Sequence, residues 1–156
     1  MTVRRLRMKK AAVGTASLIM ALLIASCASS KAANVSGKKV TIPASLEETG
    51  MEAVENGTTA GISFDANATT GYAWDYAFDE EGIIEEKASS YDTDAHSEGI
   101  VGYGGRQRYS FKAVRAGSTT ARFSYRRPWD PGSEVYQVSV DFTVDAAGTI
   151  HITAIY

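Results

Sequence analysis

Residues 108–144 read RYSFKAVRAGSTTARFSYRRPWDPGSEVYQVSVDFTV, and the two-residue alternation in this stretch decides the fold. In Arg108–Val114, Tyr109, Phe111 and Ala113 share one face while Arg108, Ser110 and Lys112 take the other. In Thr120–Arg126, Ala121, Phe123 and Tyr125 oppose Thr120, Arg122, Ser124 and Arg126. In Tyr136–Val144 the inward set is Tyr136, Val138, Val140, Phe142 and Val144. Successive side chains of a strand point to opposite faces, so each run predicts a strand with one buried face. Weaker strands are expected at Lys39–Ile42, Thr58–Phe64, Tyr72–Phe78, Ile83–Ser90 and Thr149–Ile155, with Gly117 and Ala147-Gly148 as turns. Residues 45–56 (SLEETGMEAVEN) have the makings of a helical turn, but Gly50 argues for loop. From residue 40 onward no stretch sustains helical spacing. About eight short strands in roughly 115 residues predict an all-β antiparallel sandwich.

The whole chain has 156 residues, with 16 Lys and Arg against 18 Asp and Glu, one cysteine and two histidines. That length suits one domain with a modest tail. A single cysteine forms no internal disulfide, and two histidines leave little for a histidine-based metal site. Arg4, Arg5, Arg7, Lys9 and Lys10 precede an apolar stretch from Ala11 to Ala25, with no acid before residue 27. A basic start, a short apolar run and small residues at its end describe an export signal, residues 1–26. A spanning helix needs about 20 apolar residues, more than this run supplies. Ile24-Ala25-Ser26-Cys27 resembles the bacterial lipobox, which implies that Cys27 is lipidated and becomes the first mature residue. Residues 27–39 then read as the lipidated cysteine and a small, polar, flexible spacer, and residues 40–156 as the folded domain. The expected location is the bacterial cell envelope, on a membrane. Without its five N-terminal basic residues the mature chain keeps 11 basic and 18 acidic side chains, a net charge of −7. Such a surface repels nucleic acid.

Three segments between the strands are unlike ordinary turns: Asn67-Ala68-Thr69-Thr70-Gly71-Tyr72-Ala73-Trp74, Ser97–Gly105 ending in Gly102-Tyr103-Gly104-Gly105, and Arg127-Pro128-Trp129-Asp130-Pro131-Gly132. Each strand of an antiparallel sandwich carries the chain from one end to the other. Loops separated by two strands therefore share an end. Two strands lie between the first and second segments and two between the second and third, so all three should gather at one end.

Together NATTGYAW, GYGG and RPW resemble the chagasin-type inhibitors of papain-like cysteine proteases. That family's loops carry Asn-Pro-Thr-Thr-Gly before an aromatic residue, then Gly-x-Gly-Gly, then Arg-Pro-Trp. FKAVRAGSTTARFSYRRPW also resembles the strand-turn-strand before its third loop. Ala68 stands where the family has proline, which should loosen the first loop. The resemblance implies an immunoglobulin-like antiparallel β-sandwich of about seven to eight strands with three long loops at one end. It implies a reversible, tight-binding inhibitor, not an enzyme, whose loops occlude the protease cleft. The implied protease-binding residues are Asn67, Thr69, Thr70, Gly71, Tyr72, Gly102, Tyr103, Gly104, Gly105, Arg127, Pro128 and Trp129. Thr69, Thr70 and Gly71 would sit nearest the catalytic cysteine, the loop-two glycines along the non-primed side and Trp129 on the primed side. No cofactor or metal is implied, and the protein is expected to be monomeric.

Other readings of the residues are weaker. Asp92-x-Asp94-x-His96 resembles a metal-binding fragment but lacks the twelve-residue calcium-loop pattern, so a solvated acidic loop is expected. Glu80-Glu81 and Glu85-Glu86 are adjacent pairs that strand geometry splits between faces, which suits solvation better than catalysis. No Gly-x-Ser-x-Gly elbow occurs, and His151 falls on the polar face of a strand. Trp74 is expected in the core. An envelope-anchored adhesion or assembly module is the alternative function for such a sandwich.

Overall fold

A computed structural model describes residues 37–94 and 102–156. The export signal, Cys27, most of the spacer, His96 and the start of the second loop lie outside these residues. Among the described residues nine strands follow in chain order: β1 Lys38–Lys39, β2 Glu52–Asn56, β3 Thr59–Ala66, β4 Ala73–Phe78, β5 Ile84–Thr93, β6 Gly105–Ala113, β7 Gly117–Arg126, β8 Tyr136–Val144 and β9 Ile150–Ile155. They form two antiparallel sheets, ordered β1-β2-β3-β6-β5 and β4-β7-β8-β9. This is the all-β sandwich expected. The three alternating runs become β6, β7 and β8, and their apolar faces meet between the sheets. Phe64, Phe111, Phe123, Phe142, Ile62, Val138 and Val140 are fully buried there. Each such side chain stabilises the fold by about 1.5–3 kcal/mol. Trp74 joins them, stacked on Phe64 with ring centroids 4.0 Å apart, and donates its indole N–H to the Asp65 carbonyl at 2.9 Å.

One region differs from the sequence reading. Residues 45–56 were expected as loop, yet Ala44–Thr49 forms a short 3-10 helix and Glu52–Asn56 is β2. Gly50, at φ 59°, ends the helix in the left-handed conformation rather than prolonging a loop. The alternation of β2 is masked because its second inward residue is Glu55 rather than an apolar side chain. Conversely, the strand expected at Lys39–Ile42 is a two-residue strand at Lys38–Lys39, overlapping the expected span only at Lys39.

Glu55 closes the sandwich at one edge. Its Oε1 accepts the Ile152 amide of β9 at 2.7 Å, and its Oε2 takes the Lys38 ammonium at 3.1 Å. Burial pushes this carboxyl upward, but the Ile152 amide, Lys38 and His151 together outweigh it and hold the group below its usual 4.5. A depressed folded-state value means stability that is present above about pH 4.5 and lost as pH falls through the lower, folded-state value. Glu55→Gln is therefore expected to cost about 1 kcal/mol at pH 7. It should also flatten the acid side of the stability curve, measured by urea unfolding from pH 7 to pH 3; a curve parallel to wild type would remove Glu55 from that role.

The opposite edge is closed by Tyr76 of β4, whose hydroxyl donates to Glu86 of β5 at 2.7 Å. β5 is an edge strand with a register shift between Glu86 and Ala88, a bulge that blunts the unpaired side. Glu80 and Glu85 pair with Arg115 and Lys112 at the surface. Glu80 and Glu85 are thus ordinary solvated ion-pair partners, while Glu86 accepts from the Tyr76 and Ser89 hydroxyls.

Candidate functional site

The strand ends that carry the three loops are in register. Ala66 of β3 and Thr93 of β5 both lie opposite Gly105 of β6, so loops one and two leave the first sheet side by side. In the second sheet Ala73 lies opposite Arg126, and Tyr125 opposite Tyr136, which places the exit of loop one beside loop three. Side chains then join the loops across the sheets. The Asn67 side-chain amide donates to the Gly102 carbonyl at 3.2 Å, linking loops one and two. The Arg127 guanidinium lies 4.6 Å from the centroid of the Tyr72 ring, linking loops one and three. Trp129 covers Gly71: a β-carbon built on that glycine would lie 2.7 Å from Trp129 Cη2.

Loop one is a single 3-10 turn, Ala68–Thr70, capped at both ends. Asn67 Oδ1 accepts from the Thr69 amide at 3.1 Å and from the Thr69 hydroxyl at 2.6 Å, while the Thr70 hydroxyl donates to the Asn67 carbonyl at 2.7 Å. Gly71 then takes φ 79°, which a residue with a β-carbon adopts only under strain. Both threonine protons are spent inside the turn, so the hydroxyl oxygens face outward chiefly as acceptors.

Loop three is folded by a residue the sequence reading did not single out. The Ser133 hydroxyl accepts from the Arg127 amide at 3.0 Å and donates to the Asp130 carbonyl at 2.7 Å. Asp130 N–H closes the turn on the Arg127 carbonyl at 3.0 Å. Pro128 and Trp129 are thereby held at the tip, and Trp129 is 70% exposed, the most exposed large apolar side chain among the described residues. Its ring rests on a neighbouring loop rather than on the core, so folding alone does not account for it.

In loop two Gly102 is exposed, with φ 92° and open space where a side chain would be, while Tyr103 and Gly104 are half-buried. Gly105 is different. It is buried, and a β-carbon there would meet the Asp92 carbonyl at 2.4 Å and the Tyr91 hydroxyl at 2.8 Å. It is glycine because Tyr91 lies across it, which withdraws it from the exposed contact set that the motif implies. Tyr91 and Tyr125 were also missed as supports. Tyr125 Oη accepts the Asn67 amide at 3.0 Å, and Tyr91 Oη bonds the Ala66 carbonyl at 3.5 Å and the Ala68 amide at 3.4 Å. Alternation marks Tyr125 as inward, but nothing local says which loop its hydroxyl holds.

Among the described residues the arrangement offers a tip of hydroxyl oxygens, backbone and one indole, with Arg127 behind it and Asp130 exposed beside Trp129. Among the described residues no three His, Cys, Asp or Glu side chains are grouped to hold a metal ion. Asp92 is paired with Arg108 instead. His151 is exposed, 3.5 Å from Asp145.

Comparison with known proteins gives three findings. The model of the family described as chagasin family peptidase inhibitor I42 matches residues 53–144. Over 75 residues the chain is 31% identical to amoebiasin-2 of Entamoeba histolytica, across 47% of this chain and 58% of that protein. The crystal structure of the cysteine protease inhibitor EhICP2 from Entamoeba histolytica is similar at a TM-score of 0.48 and 23% identity, over 55% of this chain and 77% of the other.

Proposed function

The chain belongs to the chagasin family of peptidase inhibitors, and on that premise we propose that it reversibly and tightly inhibits papain-like cysteine proteases by filling their cleft with three loops. The observation that carries this reading is the convergence of the three motifs on one surface, with Asn67 bonded to Gly102 and Trp129 laid over Gly71. Thr69, Thr70 and Gly71 enter at the catalytic cysteine. Their turn presents acceptor oxygens and a tightly curled backbone, and no extended peptide bond in near-attack geometry. Gly102 and Gly104 lie along the non-primed side, and Trp129 packs on the primed side. A standard interface buries about 800 Å² per partner, within reach of three loops. Loops already bonded to one another lose less entropy on docking, which favours tight binding.

The test is titration of a soluble chain beginning at Ala28 into papain with a fluorogenic peptide. Stoichiometric loss of activity supports the proposal. Full activity at micromolar concentrations of the chain would sink it and favour an adhesion or assembly module.

Ala68→Pro is expected to tighten inhibition about two- to fivefold, the equivalent of 0.4–1 kcal/mol from a stiffer loop. Ala68 opens the 3-10 turn, a position that suits proline, and Asn67 before it is extended at φ −135°, ψ 93°. Only the long Ala68–Tyr91 hydrogen bond is lost. Weaker inhibition in the same titration would show that this bond matters more than stiffness.

The proposal also places the domain on a bacterial membrane through lipid on Cys27. Lys38 lies opposite Glu55, one residue from the end of β2 and near the Gly57 turn, so the chain enters the sandwich at the end away from the loops. Cys27→Ser should move the protein from the membrane fraction to the soluble one; unchanged partition would refute the anchor.

A further inference from the structure

We propose that Gln107 is a positioning residue for inhibition: its side-chain amide, bridging the two sheets, sets the seat of loop one relative to loop two. The functional consequence rests on the inhibitor reading above; the clamp itself rests on geometry.

β4 is an edge strand, paired only with β7. At Trp74, three residues past Gly71, its backbone turns an N–H and a C=O away from that ladder into a region where Trp74 is 2% exposed. Buried backbone groups need partners. Gln107 of β6, in the other sheet, supplies both: Oε1 accepts from the Trp74 N–H at 2.9 Å, and Nε2 donates to the Trp74 carbonyl at 2.8 Å. A primary amide carries an acceptor and a donor side by side, so it can stand in for one peptide of a missing strand. Tyr109 completes the arrangement, donating to the same carbonyl at 2.6 Å while accepting from Gln107 Nε2 at 2.6 Å. Burial pushes the Tyr109 phenol upward, so it stays a donor at working pH.

Position in the fold gives this amide more than a stabilising role. Gln107 is two residues past Gly105, where loop two returns to the sheet, and lies opposite both Phe64 and Tyr91. Tyr91 holds the entry of loop one at Ala66 and Ala68, while Gln107 holds its exit at Trp74. Both ends of the turn bearing Thr69 and Thr70 are thus tied to one rung of the first sheet. Gly71, between these ties, is what Trp129 covers. Releasing the exit would let the turn shift against loops two and three without unfolding the sandwich.

The test compares wild type with Gln107→Met, which keeps length but offers neither partner. Gln107→Asn keeps the amide but falls a methylene short, and decides the matter if the methionine variant does not fold. Phe142→Leu, a core change remote from the loops, is the control for lost stability. Thermal melting, the inhibition constant for papain and the NMR shifts of the Gly71 α-protons, which feel the Trp129 ring, are measured for each. Gln107→Met is expected to raise the inhibition constant at least tenfold and move the Gly71 shifts towards unstructured values, with Gln107→Asn between it and wild type. Phe142→Leu should lower the melting temperature and change neither readout. Folded Gln107 variants with unchanged inhibition, or with unmoved Gly71 shifts, would overturn the proposal. If wild type itself leaves papain untouched, the inhibitor reading fails and the Gly71 shifts alone decide the clamp.

Discussion

Trp129→Ala is expected to weaken inhibition of papain by about 2–4 kcal/mol, roughly 30- to 1000-fold in the inhibition constant. The ring is 70% exposed, so the folded state gains little from it. A surface substitution of this kind usually changes stability by no more than about 0.5 kcal/mol. Binding is where its apolar area can be removed from water, and tryptophan is among the residue types that most often dominate an interface. Loop three does not depend on the indole for its shape, because Ser133 and the Asp130–Arg127 turn bond fold it from the backbone. The expected pair of results is an unchanged melting temperature and a large loss of inhibition. An unchanged inhibition constant would take Trp129 out of the contact surface. An equally large fall in melting temperature would make it a structural residue instead.

Gly71→Ala should act at the same place from the other side, raising the inhibition constant roughly 10- to 100-fold. Two costs add. An L-residue held at φ 79° is strained by about 1–2 kcal/mol. The new methyl would also lie 2.7 and 2.9 Å from two ring carbons of Trp129, so the ring must leave its seat. The two contributions separate in a double-mutant cycle. With Trp129→Ala already present, Gly71→Ala has no ring to displace, and only the backbone strain should remain. Full additivity of the two losses would mean that Gly71 and Trp129 act independently, against the packing described here.

Much of this was readable along the chain. Tyr109, Phe111, Phe123, Val138, Val140 and Phe142 declare their burial by alternation, because a pleated strand repeats every two residues and needs no knowledge of its partner. Counting strands then put the three motifs at one end. The strand Glu52–Asn56 was not legible for the opposite reason. Glu55 is inward only because an amide from β9, 97 residues away, and Lys38 are there to receive its charge. Gly105 misled in the same way: following the exposed Gly102 and half-buried Gly104 it looks like another loop residue, and only the Asp92 carbonyl and Tyr91 ring packed against it show why it is bare.

The sequence alone determined the class of fold, the end of the sandwich that carries the motifs and the family those motifs resemble, since periodicity, turn chemistry and motif order are local properties of a polymer. Which side chains hold the loops together was decided only by tertiary structure. Gln107, Tyr91, Tyr125 and Ser133 are unremarkable in composition. Their effect depends on hydrogen bonds that form only within about 3 Å: for Gln107 and Tyr125 that distance exists only once the two sheets have packed, for Tyr91 once β3 and β5 flank β6, and for Ser133 once loop three has turned.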